Sequence, residues 1–253
     1  MNNLKISIVT VCYNSEKYIR TAIDSVLNQT YNNIEYIIID GASKDQTMDI
    51  VKSYGDSIQV VVSEPDKGIY DAMNKGLKLA TGDYVAVLNS DDFYTNNEVI
   101  QHVVNCLEEN KTDSLFADLT YVEELSPVNQ VRYWKSNEFV KGSFKTGWHP
   151  AHPTFFVKKS IYEQFGYFNL SIKLAADFEL MLRFLEKHQI SSCYLPLPII
   201  KMRLGGATNK NIKNIINQNI ECYKSFKING LHVSILYPFF RLLPKIKQFF
   251  AKK

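Results

Sequence analysis

Ile6-Ser7-Ile8-Val9-Thr10-Val11 is a short β-rich run, and Asn14-Ser15 turns the chain out of it. From Tyr18 the period changes. Ile19, Ala22, Ile23 and Val26 recur at i, i+3, i+4 and i+7, the spacing of one buried helical face. The alternation then repeats. Ile34 to Ile39 reads as a second strand closed by Asp40-Gly41, and Met48, Ile50 and Val51 lie in a short helix. Val60 to Val62 reads as a third strand, Ile69 to Leu79 as a third helix and Tyr84 to Leu88 as a fourth strand. Strands that are apolar throughout and separated by helices predict a mostly parallel sheet covered on both faces, an α/β fold. Its ligand site belongs beyond the carboxyl ends of those strands.

Polar residues collect at those ends: Asn14 after the first strand, Asp40 after the second, Glu64 and Asp66 after the third, Asp91 and Asp92 after the fourth. A single such Asp caps the next helix as a rule, and Asp91-Asp92 could simply start the helix from Asn97. Four strand ends in succession are different, because like charges in one cleft repel unless a cation or donor offsets them. A divalent ion with hard oxygen ligands is the simplest compensator. Neither G-x-G-x-x-G after the first strand nor G-x-x-x-x-G-K-[ST] occurs. A dinucleotide oxidoreductase and a P-loop nucleotidase are thereby disfavoured.

Bulk properties narrow the class further. The chain has 253 residues, 45% hydrophobic and 22% charged, which is globular composition with ample core. Its net charge of +3 is unevenly spread. No acid follows Glu221, while Lys224, Lys227, Arg241, Lys245, Lys247, Lys252 and Lys253 do. Cys12, Cys106, Cys193 and Cys222 are far apart in sequence, so neither a disulfide framework nor a zinc site is expected. With no signal-peptide layout and no run of about 18 apolar residues, a cytoplasmic protein is expected.

Four segments resemble glycosyltransferase family 2, whose members share the GT-A fold: Ile8 to Asn14, Asp40 to Asp45, Glu64 to Gly76, and Asn89-Ser90-Asp91-Asp92 in place of the acidic D-x-D signature. Their order and spacing are similar to those of bacterial exopolysaccharide enzymes. The resemblance implies that Thr10, Tyr13 and Asp40 hold the base of a nucleotide-sugar donor, with a UDP-sugar expected. It puts Lys67 and Asn74 near the base or diphosphate. Asp91 and Asp92 divide the ribose or sugar hydroxyls and a Mn²⁺ or Mg²⁺ ion between them, with Asp92 favoured as metal ligand. Asn89 departs from the pattern, where an Asp is common.

Beyond Ser114 the periodicity loosens. Leu115 to Asp118, Val131 to Trp134 and Leu195 to Met202 read as further strands. Trp148-His149-Pro150-Ala151-His152-Pro153 admits either metal binding or a structural loop, and the resemblance makes it a wall of the cleft. Ala175-Ala176-Asp177-Phe178-Glu179-Leu180 opens a helix that buries Leu180, Met181, Phe184 and Leu185. Asp177 suits a helix N-cap; the resemblance makes it the catalytic base of an inverting transfer, with Glu179 structural. Arg203, before Gly205-Gly206, belongs either to a loop closing near the phosphates or to a plain turn.

The expected organisation is a nucleotide-sugar half over 1–113, an acceptor and catalytic half over 114–210, and a helical basic-apolar tail over 211–253. Residues 231–253 mix aromatic, aliphatic and basic side chains, the composition of an interfacial segment. An anionic membrane surface on the cytoplasmic face of the inner membrane is therefore an expected partner, and packing of the tail on the body or a second subunit is the competing reading. The expected acceptor is a hydroxyl of a lipid-linked oligosaccharide or polysaccharide; no nucleic acid is expected. Two other activities fit: a polyprenyl-phosphate glycosyltransferase, and a non-catalytic nucleotide-sugar-binding protein.

Overall fold

The structure, a computed structural model, describes residues 4–124, 126–204 and 212–241. Its first half follows the sequence pattern closely. Strand β1 (Ile6–Cys12) is followed by α1 (Ile19–Leu27), β2 (Ile34–Asp40), α2 (Thr47–Lys52), β3 (Val60–Ser63), α3 (Ile69–Leu79) and β4 (Tyr84–Asn89). β1 pairs in parallel with both β2 and β4, and β2 with β3. Each central strand is apolar on two faces. Ile6, Ile8, Tyr36 and Ile38 pack with α1 and with α4 (Val99–Asn110), whereas Val9, Val11, Ile37 and Ile39 pack with α3.

The second half is less regular. β8 (Phe156–Lys158) pairs antiparallel with β4 and with β6 (Ser114–Val122), joining both halves in one sheet. β9 (Ser192–Arg203) lies parallel to β6, and β5 (Phe93–Tyr94) and β7 (Gln130–Trp134) add antiparallel edges. The sheet order is β3-β2-β1-β4-β8-β6-β9-β5, with β7 on β6. The expectation of a mostly parallel sheet thus holds for the first half, and antiparallel strands complete it. The register of β9 on β6 slips where Pro196 and Pro198 stand, since proline cannot donate to the ladder.

Helices α5 (Lys159–Phe165), α6 (Ala176–Met181, continued by a π-helical turn over Leu182–Lys187), α7 (Ile212–Ile228) and α8 (Tyr237–Phe240) complete the α3 side of the sheet. Tyr237 is fully buried against Phe178 and Phe226, and buried Arg241 donates to Asn219 at 2.7 Å. This stretch of the expected tail therefore packs on the body; residues 242–253 lie outside the described residues.

Gly76 sets how closely α3 approaches the sheet. A Cβ there would stand 2.2 Å from Val9 Cγ1 and 3.1 Å from Ile39 Cγ1. Because both contacts are with packed core residues of adjacent strands, relief requires α3 to move outward. Gly76→Ala is expected to destabilise the fold by about 1–3 kcal/mol, the usual cost of overpacking. Thermal melting at matched pH checks this; an unchanged midpoint would contradict the tight packing.

Candidate active site

The loops at the carboxyl ends of β1, β2 and β3 are stitched together by short polar side chains. Asn14 adopts φ 49°, a left-handed conformation that Asn tolerates. Its backbone N–H donates to Ser43 Oγ (2.8 Å), and its side-chain oxygen accepts from the Lys44 N–H (2.9 Å). Asp40 is fully buried and accepts from the Ser43 N–H (3.0 Å), the Ser63 hydroxyl (2.6 Å), the Ser43 hydroxyl and the Cys12 thiol. Burial, reinforced by the Asp40 charge, pushes the Cys12 thiol pKa far up, so it stays protonated. A Cβ at Gly41 would meet Asp66 Oδ2 at 2.4 Å and Tyr13 Cδ2 at 3.4 Å, which places all three residues at one spot. Tyr13 is 58% exposed there.

Three of the residues expected at the donor are buried and hydrogen-bonded within the fold. Thr10 is fully buried and its hydroxyl pairs with that of Tyr36 at 3.0 Å. Asp40, as just described, spends its carboxylate on the shape of its own loop. Asn74 uses both ends of its amide on the Phe168 backbone, donating to the carbonyl and accepting from the N–H, each at 2.9 Å. These side chains find their partners inside the protein, as buried polar groups in a packed layer must. Lys67 is exposed at the entrance to α3.

The Asn89–Asp92 turn leads out of β4 directly into β5, and α4 begins only at Val99, so the two aspartates do not start that helix. Asn89 Nδ2 donates to Asp92 Oδ2 at 3.0 Å. Asp92 is fully buried, yet its Oδ1 has no hydrogen-bond partner among the described residues, and neither has Asn89 Oδ1. Burial, then the Asp91 charge, raises the Asp92 pKa well above the ordinary carboxylate value; Asn89 and Arg203 offset this only in part. Burial also raises Asp91, against the pull of Arg203 and His152. Arg203 ends β9 rather than riding on an open loop: its Nη1 donates to the Asp91 carbonyl at 2.6 Å, and its guanidinium lies against the rings of Tyr18 and Phe93. Gly205-Gly206 lie outside the described residues.

Asp177 occupies the second position of α6, two residues past the N-cap position taken by Ala175. Tyr70 donates its hydroxyl to Asp177 Oδ1 at 3.1 Å, and His152 Nδ1 lies 3.2 Å from Asp177 Oδ2. Burial and the neighbouring Asp177 charge keep the Tyr70 phenol protonated. His152 also acts electrostatically on Asp91, and both Asp92 and Asp177 act on Tyr121, so the acidic turn and Asp177 lie in one neighbourhood. Glu179 points away, into a buried cluster with Arg183 and Asn229. His149 packs against Trp134 and Phe178, which makes it structural. Sequence reasoning passed over Tyr70 and left His152 undecided; an ionisable ring in the first turn of α3 was the available signal for the former.

An uncharacterised glycosyltransferase of Rickettsia typhi is 32% identical over 216 residues, 81% of this chain and 66% of that protein. The chain thus spans just under two-thirds of that relative's length. A PGL/p-HBAD biosynthesis glycosyltransferase of Mycobacterium tuberculosis is 24% identical over 207 residues, covering 80% and 78%. Among solved structures, S. aureus TarS aligns with TM-score 0.65 at 19% identity, over 98% of this chain and 44% of that one. The mannosyltransferase PcManGT of Pyrobaculum calidifontis, in complex with GDP-Man and Mn²⁺, aligns with TM-score 0.64 at 16% identity, over 97% and 69%. Both likenesses establish the same α/β fold. The glycosyl transferase family 2 model matches residues 7–166, well over half of the chain, and the protein belongs to that family.

Proposed function

We propose that the protein is an inverting glycosyltransferase, moving a sugar from a nucleoside diphosphate donor, UDP-linked, to a hydroxyl of a lipid-linked oligosaccharide or polysaccharide. What supports this reading is two features in one neighbourhood: an acidic turn whose buried Asp92 Oδ1 and Asn89 Oδ1 have no donor among the described residues, and a carboxylate held by two flanking groups. Relatives named as glycosyltransferases, and neighbours solved with UDP-GlcNAc or GDP-Man, lend the donor class.

The exposed Tyr13 ring, beside the Gly41 backbone and Asp66, is the surface suited to a nucleobase. Lys67 and Arg203 supply positive charge toward a diphosphate. The unsatisfied Asp92 Oδ1 and Asn89 Oδ1, with Asp91 beside them, form a set of hard oxygens that fits Mn²⁺ or Mg²⁺. A divalent ion bound there supplies Lewis-acid stabilisation to the departing diphosphate. Asp177 accepts the proton of the acceptor hydroxyl as that oxygen bonds to the anomeric carbon, and the pair from the broken carbon–oxygen bond leaves on the diphosphate. Tyr70 and His152 fix the carboxylate's orientation, so that one of its lone pairs stays aimed at the acceptor.

A thermal-shift titration with UDP-sugars and GDP-sugars, each with and without Mn²⁺, tests the donor class. Stabilisation by one donor that grows with metal is expected. A shift that is equal in EDTA would remove the acidic turn from donor binding.

A further inference from the structure

Helix α7 shows two unlike sides. Cys222, Ser225, Phe226 and Asn229 face inward, and Asn229 Nδ2 donates to Glu179 of α6 at 2.9 Å. Lys213, Ile216, Ile220, Lys224, Lys227 and Ile228 are exposed, with Asn217 among them. At about 100° per residue these positions fall within a sector of about 120°, a single continuous face. Its isoleucines are far from buried: Ile216 is 54% exposed, Ile220 45% and Ile228 52%. The one acid of the helix, Glu221, stands at the side, and its carboxylate is taken by the N–H groups of Lys173 and Leu174. None of the three lysines is in a salt bridge among the described residues; Lys227 lies over the Tyr223 ring. Just beyond the helix, Ile235 and Leu236 are also exposed, at 79% and 52%.

We propose that this face of α7 docks on an anionic phospholipid surface. Three cations without an acid are drawn to lipid phosphates, and isoleucines spaced between them can enter the headgroup boundary. Two other occupants fit less well. A second copy meeting through the same face would set lysines against lysines, and a nucleic acid would find no use for three exposed isoleucines. The attachment surface is thus the helix that packs on α6, whose first turn carries Asp177, and not residues 242–253 alone. The link to a membrane-borne acceptor rests on the transfer reading; the docking itself does not.

Co-sedimentation of the full chain with vesicles of phosphatidylcholine, with and without phosphatidylglycerol, tests the proposal. Wild type is expected to bind the anionic vesicles only. Lys213→Gln/Lys224→Gln/Lys227→Gln is expected to lower partitioning by about a hundredfold, at roughly fivefold per lysine. Ile216→Ser/Ile220→Ser is expected to lower it as well. Lys245→Gln/Lys247→Gln/Lys252→Gln/Lys253→Gln is expected to retain the larger part. A nucleotide-induced thermal shift equal to wild type shows that each variant is folded, and it reads the donor site separately from the membrane face. The proposal is overturned if wild type ignores anionic vesicles, if the α7 lysine variant binds like wild type, or if Ile216→Ser/Ile220→Ser converts a dimer to a monomer without changing vesicle binding.

Discussion

Asp177→Asn is expected to lower sugar transfer by two to four orders of magnitude while leaving nucleotide binding near wild type. General-base assistance contributes on the order of 10²–10⁴ to rate, and an amide oxygen is far too weak a base to accept the acceptor's proton. The substitution is nearly isosteric, so the Tyr70 hydroxyl keeps an acceptor at Oδ1. His152 Nδ1 then faces the amide NH₂ group, from which it accepts when it carries no proton. Local geometry therefore survives better than chemistry does. Steady-state transfer measured beside calorimetric UDP binding separates the two. Near-normal turnover would mean that the nucleophile needs no base, as for a phosphate acceptor, and the hydroxyl-transfer reading would fall. Loss of both binding and turnover would mean that the change damaged the cleft.

Asp92→Asn is expected to raise the melting temperature of the metal-free protein and to abolish the extra stabilisation that Mn²⁺ gives with a donor. The two effects have opposite signs for one reason. In the metal-free fold the Asp92 pKa lies well above its unfolded value, through burial and the Asp91 charge. The folded state thus holds this proton more tightly. Its stabilising contribution is complete below the unfolded carboxylate pKa and is lost as pH rises through the raised folded value. At neutral pH and above, the wild-type fold carries an acid it disfavours ionising, and an unsatisfied buried polar group costs about 1–3 kcal/mol. The amide removes the buried charge, though not the buried polar atom, and a change of 1 kcal/mol moves the midpoint by roughly 2–4 °C in a chain of this size. A bound cation reverses the balance because it stabilises the carboxylate, and stabilisation by ligand follows its affinity. Melting curves of wild type and variant across pH, with and without Mn²⁺, provide the check. A variant less stable than wild type in EDTA at high pH would show that Asp92 is an ordinary structural acid.

Both experiments bear on residues that stood out in the sequence, since each follows a strand or opens a helix. Periodicity was enough for β1 to β4 and their helices, because each strand is apolar on both faces and each turn carries its own punctuation. The second half was harder to read. β8 has three residues and β5 two, too short for a period to register, and both are held by neighbours distant in sequence. Arg203 illustrates the same limit. Its place beside two glycines resembles a mobile loop, yet 112 residues separate it from the Asp91 carbonyl it holds.

The sequence by itself determined the α/β class, the end of the sheet at which polar groups gather, and the family, because these depend on local patterns of apolar and acidic residues. Tertiary structure alone decided which of those polar groups are satisfied inside the fold. Thr10, Asp40 and Asn74 turn inward because partners from other segments, Tyr36, Ser63 and Phe168, satisfy them there. Asp92 is left with an oxygen that no donor in the described fold reaches, and Asp177 gains Tyr70 from 107 residues away. Hydrogen-bond satisfaction is a property of space and not of spacing, so no reading of neighbours along the chain can supply it.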